Sequence, residues 1–189
     1  MITLYFFVYS FIGWIYESTI CSFLKYRRFV NRGFLNGPYC PIYGVGAVVG
    51  ISLYKDMGHL EIFILSMITS TILEYITGYV LEKTFKRKWW DYSKQPLNLH
   101  GYICLMATVV FGIANVALIT LVHPNIVLYF ESFNGNLSIL VIGLITVIFL
   151  DTIHSVQTHF SLIETYKLSH DYFKEKKNHM RNAISALIR

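Results

Sequence analysis

Three short stretches place ionisable side chains inside runs of apolar residues: Glu17 in GWIYEST, Glu74 in STILEYITGY, and Asp151 with His154 in FLDTIHSVQTH. A charge within a membrane helix is costly to bury. An acid kept there is therefore a candidate for binding a cation, relaying a proton or pairing with a base. Glu17 and Glu74 suit each of these roles, and pairing with Arg32 or with a lysine of the segment after Val80 is the structural alternative. Asp151 and His154 share one helical face and are weak candidates for holding a divalent ion with His159 nearby. For His159 a packed, hydrogen-bonded ring is the preferred reading. No nucleophile–base pair, phosphate loop or zinc signature occurs, so the catalytic residues and any cofactor stay unknown.

Two polar connecting segments carry further groups able to do chemistry. KWWDYSKQPLNLHGY holds Trp90, Asp91, Tyr92, Asn98 and His100, and NRGFLNGPYCPIYG holds Arg32, Asn36, Cys40 and Tyr43. The expectation is that Trp89, Trp90 and Tyr92 anchor at a membrane interface while Asp91, Asn98 and His100 turn towards the acids.

The elements that must position these groups follow from composition. Of 189 residues 54% are hydrophobic and only 14% charged, with a mean hydropathy of +0.49. A soluble domain carries about a quarter of its residues as charges. So few cannot cover a water-facing surface, and a chain of this length cannot enclose the apolar remainder. The chain therefore reads as an integral membrane protein. The net charge of +5 does not point to nucleic acid, because the cations stand in short clusters between apolar runs. That is the pattern of topology determinants and lipid-headgroup contacts. Cys21, Cys40 and Cys104 show no paired spacing and read as small buried apolar residues. The N-terminus lacks the basic region and cleavage site of a secretory signal and reads as a retained first helix.

Five stretches approach the ~20 residues a crossing needs: 2–24, 37–54, 60–80, 102–122 and 137–157. The second is short and opens on two prolines, so a bent or re-entrant entry is expected, with Gly46 and Gly50 letting a neighbouring helix come close. Lysine and arginine gather after the first stretch (Lys25, Arg27, Arg28, Arg32), after the third (Lys83, Lys86, Arg87, Lys88, Lys94) and after the fifth (Lys167, Lys174, Lys176, Lys177, Arg181, Arg189). The second-to-third link holds only Lys55, and HPNIVLYFESFNGN between the fourth and fifth holds none. The positive-inside rule then puts the N-terminus outside and the C-terminus in the cytoplasm. The expected fold is all-α, with about five transmembrane helices in one domain, 1–160, and polar cytoplasmic loops at 25–36 and 83–101. Residues 161–189, with Leu162, Tyr166, Tyr172, Phe173, Met180, Ile184 and Leu187 among many cations, are expected to form a basic amphipathic helix along the inner leaflet.

On that topology Glu17, Glu74, Asp151 and His154 share the cytoplasmic half of the bilayer with both polar loops. One polar cavity is expected, walled by Glu17, Glu74 and Asp151 and lined by Arg32, Asn36, Tyr43, Trp90, Asp91, Tyr92, Asn98 and His100.

At these residues the chain resembles a bacterial family of multi-pass membrane proteins, the CmpB-like ABC-transporter permeases. The matching elements are FIGWIYES, VNRGFLNGPYCPIYGVG, LEYITGYVLE and WWDYSKQPLNLHGYICL, in fixed order over roughly the first 110 residues. The resemblance implies an all-helical protein of the bacterial plasma membrane and a transport role; any ATPase would be a separate chain.

Two functions from different classes fit. One is a permease or substrate-binding membrane subunit for a small polar or cationic solute, with Glu17 and Glu74 selecting charge. Its small size calls for a homodimer or a partner subunit. The other is an enzyme or binding protein acting on a lipid or lipid-linked substrate at the inner leaflet, with Arg32 as headgroup clamp and the Trp-Asp-Tyr stretch as lid. An accessory subunit of another membrane complex is a third option.

Overall fold

The computed structural model describes residues 1–54, 56–133 and 137–187, with side chains at 171, 175 and 178–187 not described. Lys55, residues 134–136 and Arg189, and the side chains of Met180, Arg181, Ile184 and Leu187, thus lie outside the described residues. Helices dominate: α1 (Ile2–Tyr26), α2 (Pro41–Tyr54), α3 (His59–Phe85), α4 (Leu105–Glu131) and α5 (Ser138–Leu187). Two short strands, β1 (Asn98–Leu99) and β2 (Ile103–Cys104), pair antiparallel between α3 and α4.

Four helices, α1, α3, α4 and α5 as far as Lys174, are long and apolar enough to cross a membrane. Helix α2 is not: its 14 residues extend about 21 Å at ~1.5 Å per residue, against a hydrocarbon core of ~30 Å. It starts on Pro41, whose missing N–H costs nothing at a first turn. The start lies inside the bundle, since the Cys40 amide donates to the Ser10 carbonyl at 2.9 Å, about a third of the way along α1. Residues 31–40 therefore run back along α1, and α2 is a half-length helix that completes the return.

Helix α3 wears its polarity inside out. Ile64, Ile68, Ile72, Ile76 and Val80 are exposed on one stripe, while Ser66, Glu74 and Gly78 are buried on the opposite one. Both stripes repeat every four residues, as one helical face must. Only a hydrocarbon exterior makes that arrangement favourable.

Helices α1 and α2 make the closest approach. A Cβ at Gly13 would fall within the Tyr43 ring, and one at Gly44 within Ser10 and the Phe6 backbone. The expected close pair, Gly46 and Gly50, plays a smaller part: a Cβ at Gly50 would sit 3.2 Å from Asn115 and Ile119 of α4, and one at Gly46 in ordinary contact with Leu73. Helix α3 packs along α4, and Tyr54, Ile62 and Ile119 close an apolar cluster where α2, α3 and α4 meet.

Helix α4 runs on to Glu131, through His123 and Pro124, where a connecting link is expected from the sequence. A wider π-helical turn at Leu118–Val122 precedes the proline and absorbs the hydrogen bond it cannot make. Helix α5 continues without a break past residue 160, for 50 residues in all. At ~1.5 Å per residue that is about 75 Å, more than twice the hydrocarbon thickness. The ends of α1 and α3, the start of α4 and the 151–159 stretch of α5 meet at one end of the bundle, so segments 25–36 and 83–101 share that end.

Candidate functional site

Glu17 opens a π-helical turn, Glu17–Cys21, in α1. Single turns of this kind displace the local register and recur at functional sites. One carboxylate oxygen accepts from the Tyr43 hydroxyl at 2.7 Å, and the other faces an Arg32 guanidinium nitrogen at 3.0 Å. Gly13 makes room for the Tyr43 ring. Arg32 is carried by the returning segment, which Asn31 fixes: its side chain accepts from the Trp14 indole at 2.8 Å and donates to the Asn36 carbonyl at 3.0 Å. The Glu17–Arg32 pair weighed from the sequence is thus formed.

Glu74 lies two-thirds of the way along the buried stripe of α3 and is 5% exposed. Its Oε1 accepts from the Tyr92 hydroxyl at 3.0 Å, and its Oε2 has no hydrogen-bond partner among the described residues. Tyr92 reaches it because the segment after α3 folds back along that helix. Lys86 ends α3 in a left-handed conformation, and Trp90 lies against Gly78 while its indole donates to the Tyr102 carbonyl at 2.8 Å. The chain then turns at His100 and Gly101, both with positive φ, closed by the Tyr102 amide donating to the Leu99 carbonyl at 3.1 Å, so that three residues separate the paired Leu99 and Ile103.

This geometry reverses the expected division of labour in the hairpin. Trp90 and Tyr92 turn inward, and Asp91, Asn98 and His100 are exposed. Asp91 accepts from the Ser93 amide and hydroxyl, and those bonds hold its carboxyl below the usual range. Asn98 donates to the Gln95 carbonyl at 2.8 Å and accepts from Gly101, and His100 Nδ1 lies 3.0 Å from the Tyr75 hydroxyl. These three build the hairpin. Trp90 lies against Gly78 and Tyr92 reaches Glu74, while Asp91 between them is exposed and bonded to Ser93.

Glu17 and Glu74, distant in sequence, share one neighbourhood. Burial first, then the Glu74 carboxylate it bonds, then the Glu17 charge push the Tyr92 phenol well above its ordinary value. Tyr92 therefore stays protonated and donates. Among the described residues Arg32 pairs with Glu17, and no cation is paired with Glu74.

Asp151 belongs elsewhere. Its carboxylate accepts from the amides of Asn36 at 3.3 Å and Gly37 at 2.8 Å, the Asn36 side chain at 3.2 Å, the Tyr39 hydroxyl at 2.6 Å and Ser155 at 3.2 Å. It anchors the returning segment to α5, and Asn36 is turned to it rather than to Glu17. His154 is exposed, and among the described residues no group of three or more His, Cys, Asp or Glu is placed to hold a metal. His159 donates to the Phe34 carbonyl at 3.1 Å and stacks on the Phe34 ring, with Phe85 and Trp89 edge-on.

Glu74 is enclosed at 5% exposure, whereas Glu17 keeps a quarter of its side chain exposed. Two shallow grooves in the surface are apolar and lie towards the opposite end, one between Phe63 and Ile113, the other beside Met57 and Leu65. Tyr39, Ser66, Ser70 and Asn115 were not singled out from the sequence, although Ser66, Ser70 and Glu74 stand at a helical spacing opposite the isoleucine stripe. Searches against curated proteins and against solved structures returned no match. Residues 4–156, which include both acids, the returning segment, the hairpin and Asp151, match the CmpB family described as "Putative ABC-transporter type IV", and the chain belongs to that family.

Proposed function

We propose that this chain is the substrate-handling membrane subunit of a transport system, and that it takes up a small polar solute bearing a positive charge at Glu17 and Glu74. The observation that carries this reading is the unequal charge of the cluster: a buried Glu74, a half-buried Glu17, one guanidinium, and a Glu74 oxygen without a hydrogen-bond partner among the described residues. A buried carboxylate left so is stabilised by a cation or a proton. Position supports transport as well. Glu17 and Glu74 stand at similar depth, about 14 and 16 Å from the ends of α1 and α3 at ~1.5 Å per residue, near the middle of a ~30 Å core where transporter sites concentrate.

In this reading α2, starting inside the bundle, is the broken helix of the site, and the 86–104 hairpin closes it through Tyr92. The N-terminus lies outside and the C-terminus inside a bacterial plasma membrane, with five passes counting the returning segment and α2 as one. A second copy or a separate ATPase chain completes the machine.

Equilibrium binding to the purified full chain tests the proposal. Ethanolammonium, guanidinium and tetramethylammonium are the probes, read by thermal stabilisation and by uptake into proteoliposomes. At least one should bind the wild type saturably and fail to bind Glu74→Gln. Equal responses from wild type and Glu74→Gln to all three would overturn it.

A second reading, action on a lipid or lipid-linked substrate, draws on the hairpin tip. Leu97 and Leu99 are exposed there beside Lys94, a combination suited to insertion among headgroups. Unchanged lipid classes in a strain lacking the chain would remove it.

A further inference from the structure

The buried stripe of α3 does more than present Glu74. Ser66, Ser70 and Glu74 stand on consecutive turns, about 6 Å apart along the axis. Asn115 of α4 reaches the middle of this line, its side-chain amide 3.4 Å from the Ser70 hydroxyl. Gly50 of α2 keeps the space beside Asn115 free of a side chain. The two ends of the line are alike. Ser66 is 1% exposed and its hydroxyl oxygen, like Glu74 Oε2, has no hydrogen-bond partner among the described residues. Buried polar atoms of this kind are the ones water satisfies.

Each end is also closed. One turn beyond Ser66 stands Ile62, packed with Tyr54 and Ile119 in an apolar plug. Beyond Glu74 stands Tyr92 with the hairpin behind it. We propose that Ser66, Ser70, Asn115 and Glu74 form one polar file that relays protons through water between the Tyr54–Ile62–Ile119 plug and Glu74. The plug acts as the gate towards the end of the bundle where His59 begins α3. Hydroxyl and amide groups both donate and accept, so they can order a water chain without holding a charge themselves, and Glu74 is the group that takes the proton. The inference rests on Glu74 being a cation-handling group, as proposed above, and adds the route by which it is reached.

The test opens the plug. Full-length protein is reconstituted into liposomes loaded with a pH-sensitive dye, and proton influx is driven by a potassium diffusion potential with no solute present. In a Tyr92→Ala background, which opens the Glu74 end in every protein compared, Ile62→Ser should raise influx at least tenfold over Ile68→Ser, which makes the same change on the lipid-facing stripe. Adding Ser70→Val or Glu74→Gln to Ile62→Ser should return influx to the Ile68→Ser level. Should Ile62→Ser fail to give monodisperse protein, Ile119→Ser opens the same plug from α4.

Influx no higher in either plug variant than in Ile68→Ser would overturn the file, as would a leak that survives both second changes. A gated leak together with no binding of any organic cation would leave the file standing and remove the proposed substrate class. Organic-cation binding lost in Glu74→Gln, with no leak from an opened plug, would do the reverse.

Discussion

The Tyr92 hydroxyl donates to the Glu74 carboxylate at 3.0 Å, tying a hairpin between two helices to the buried stripe of one of them. Because the acceptor is 5% exposed, the bond forms only if residues 86–104 fold back against α3. The contact is thus at once a lid closure and the satisfaction of a buried carboxylate oxygen.

Removing that donor should loosen the hairpin without unfolding the helices. Tyr92→Phe keeps the ring and loses a hydrogen bond to an ionisable acceptor, a change of about 1.5–3 kcal/mol. The expected result is a lower Tm in detergent and faster proteolysis within 88–104, with helical circular dichroism retained. Unchanged proteolysis would show that Trp90 and its bond to Tyr102 hold the hairpin alone.

Asp151 should behave as a fastener of the returning segment. Asp151→Ala strands the Gly37 amide and the Tyr39 hydroxyl, at a cost of roughly 2–3 kcal/mol. Hydrogen exchange should rise over residues 31–40 and stay low in α1. A uniform rise across the chain would instead mark global destabilisation.

The α1–α2 contact leaves no room for growth. Gly13→Ala forces a methyl group into the Tyr43 ring and should cost about 1–3 kcal/mol as overpacking. Because Tyr43 also holds Glu17, the variant should bind the organic-cation probes more weakly, whereas Gly143→Ala in α5, with open space around it, should match wild type in both Tm and binding.

Cys40 should resist alkylation. Its side chain is 7% exposed where the returning segment meets α1, so a water-borne reagent has no path to the sulfur while the bundle is folded. Maleimide labelling of the folded protein should spare Cys40 and reach it after denaturation, by mass spectrometry of the peptides.

Much of the architecture was legible from local properties. Four apolar runs became helices long enough to cross, and the short, proline-headed second run became a half-length helix. Hydropathy and proline stereochemistry act within a few residues, so no distant partner is needed to read them. The extent of α4 was not legible, because Pro124 reads as a breaker until a wider turn before it makes the helix continuous. The hairpin was misread for a related reason. Headgroup-anchoring preferences place Trp and Tyr outward, but a pocket at Gly78 and a carboxylate at Glu74 offer Trp90 and Tyr92 better partners inside.

The amino-acid order by itself determined that apolar helices dominate, that cations gather in the segments after the first, third and fifth runs, and that Glu17 and Glu74 are held among apolar neighbours. Each follows from composition or spacing along the chain. Only the tertiary structure decided that Glu17 meets Arg32 and Tyr43, that Glu74 meets Tyr92, and that Asp151 fastens a loop instead of joining the acids. Those outcomes depend on where α1, α2, α3 and the returning segment cross, which the small side chains at Gly13, Gly44 and Gly78 permit and no local rule specifies.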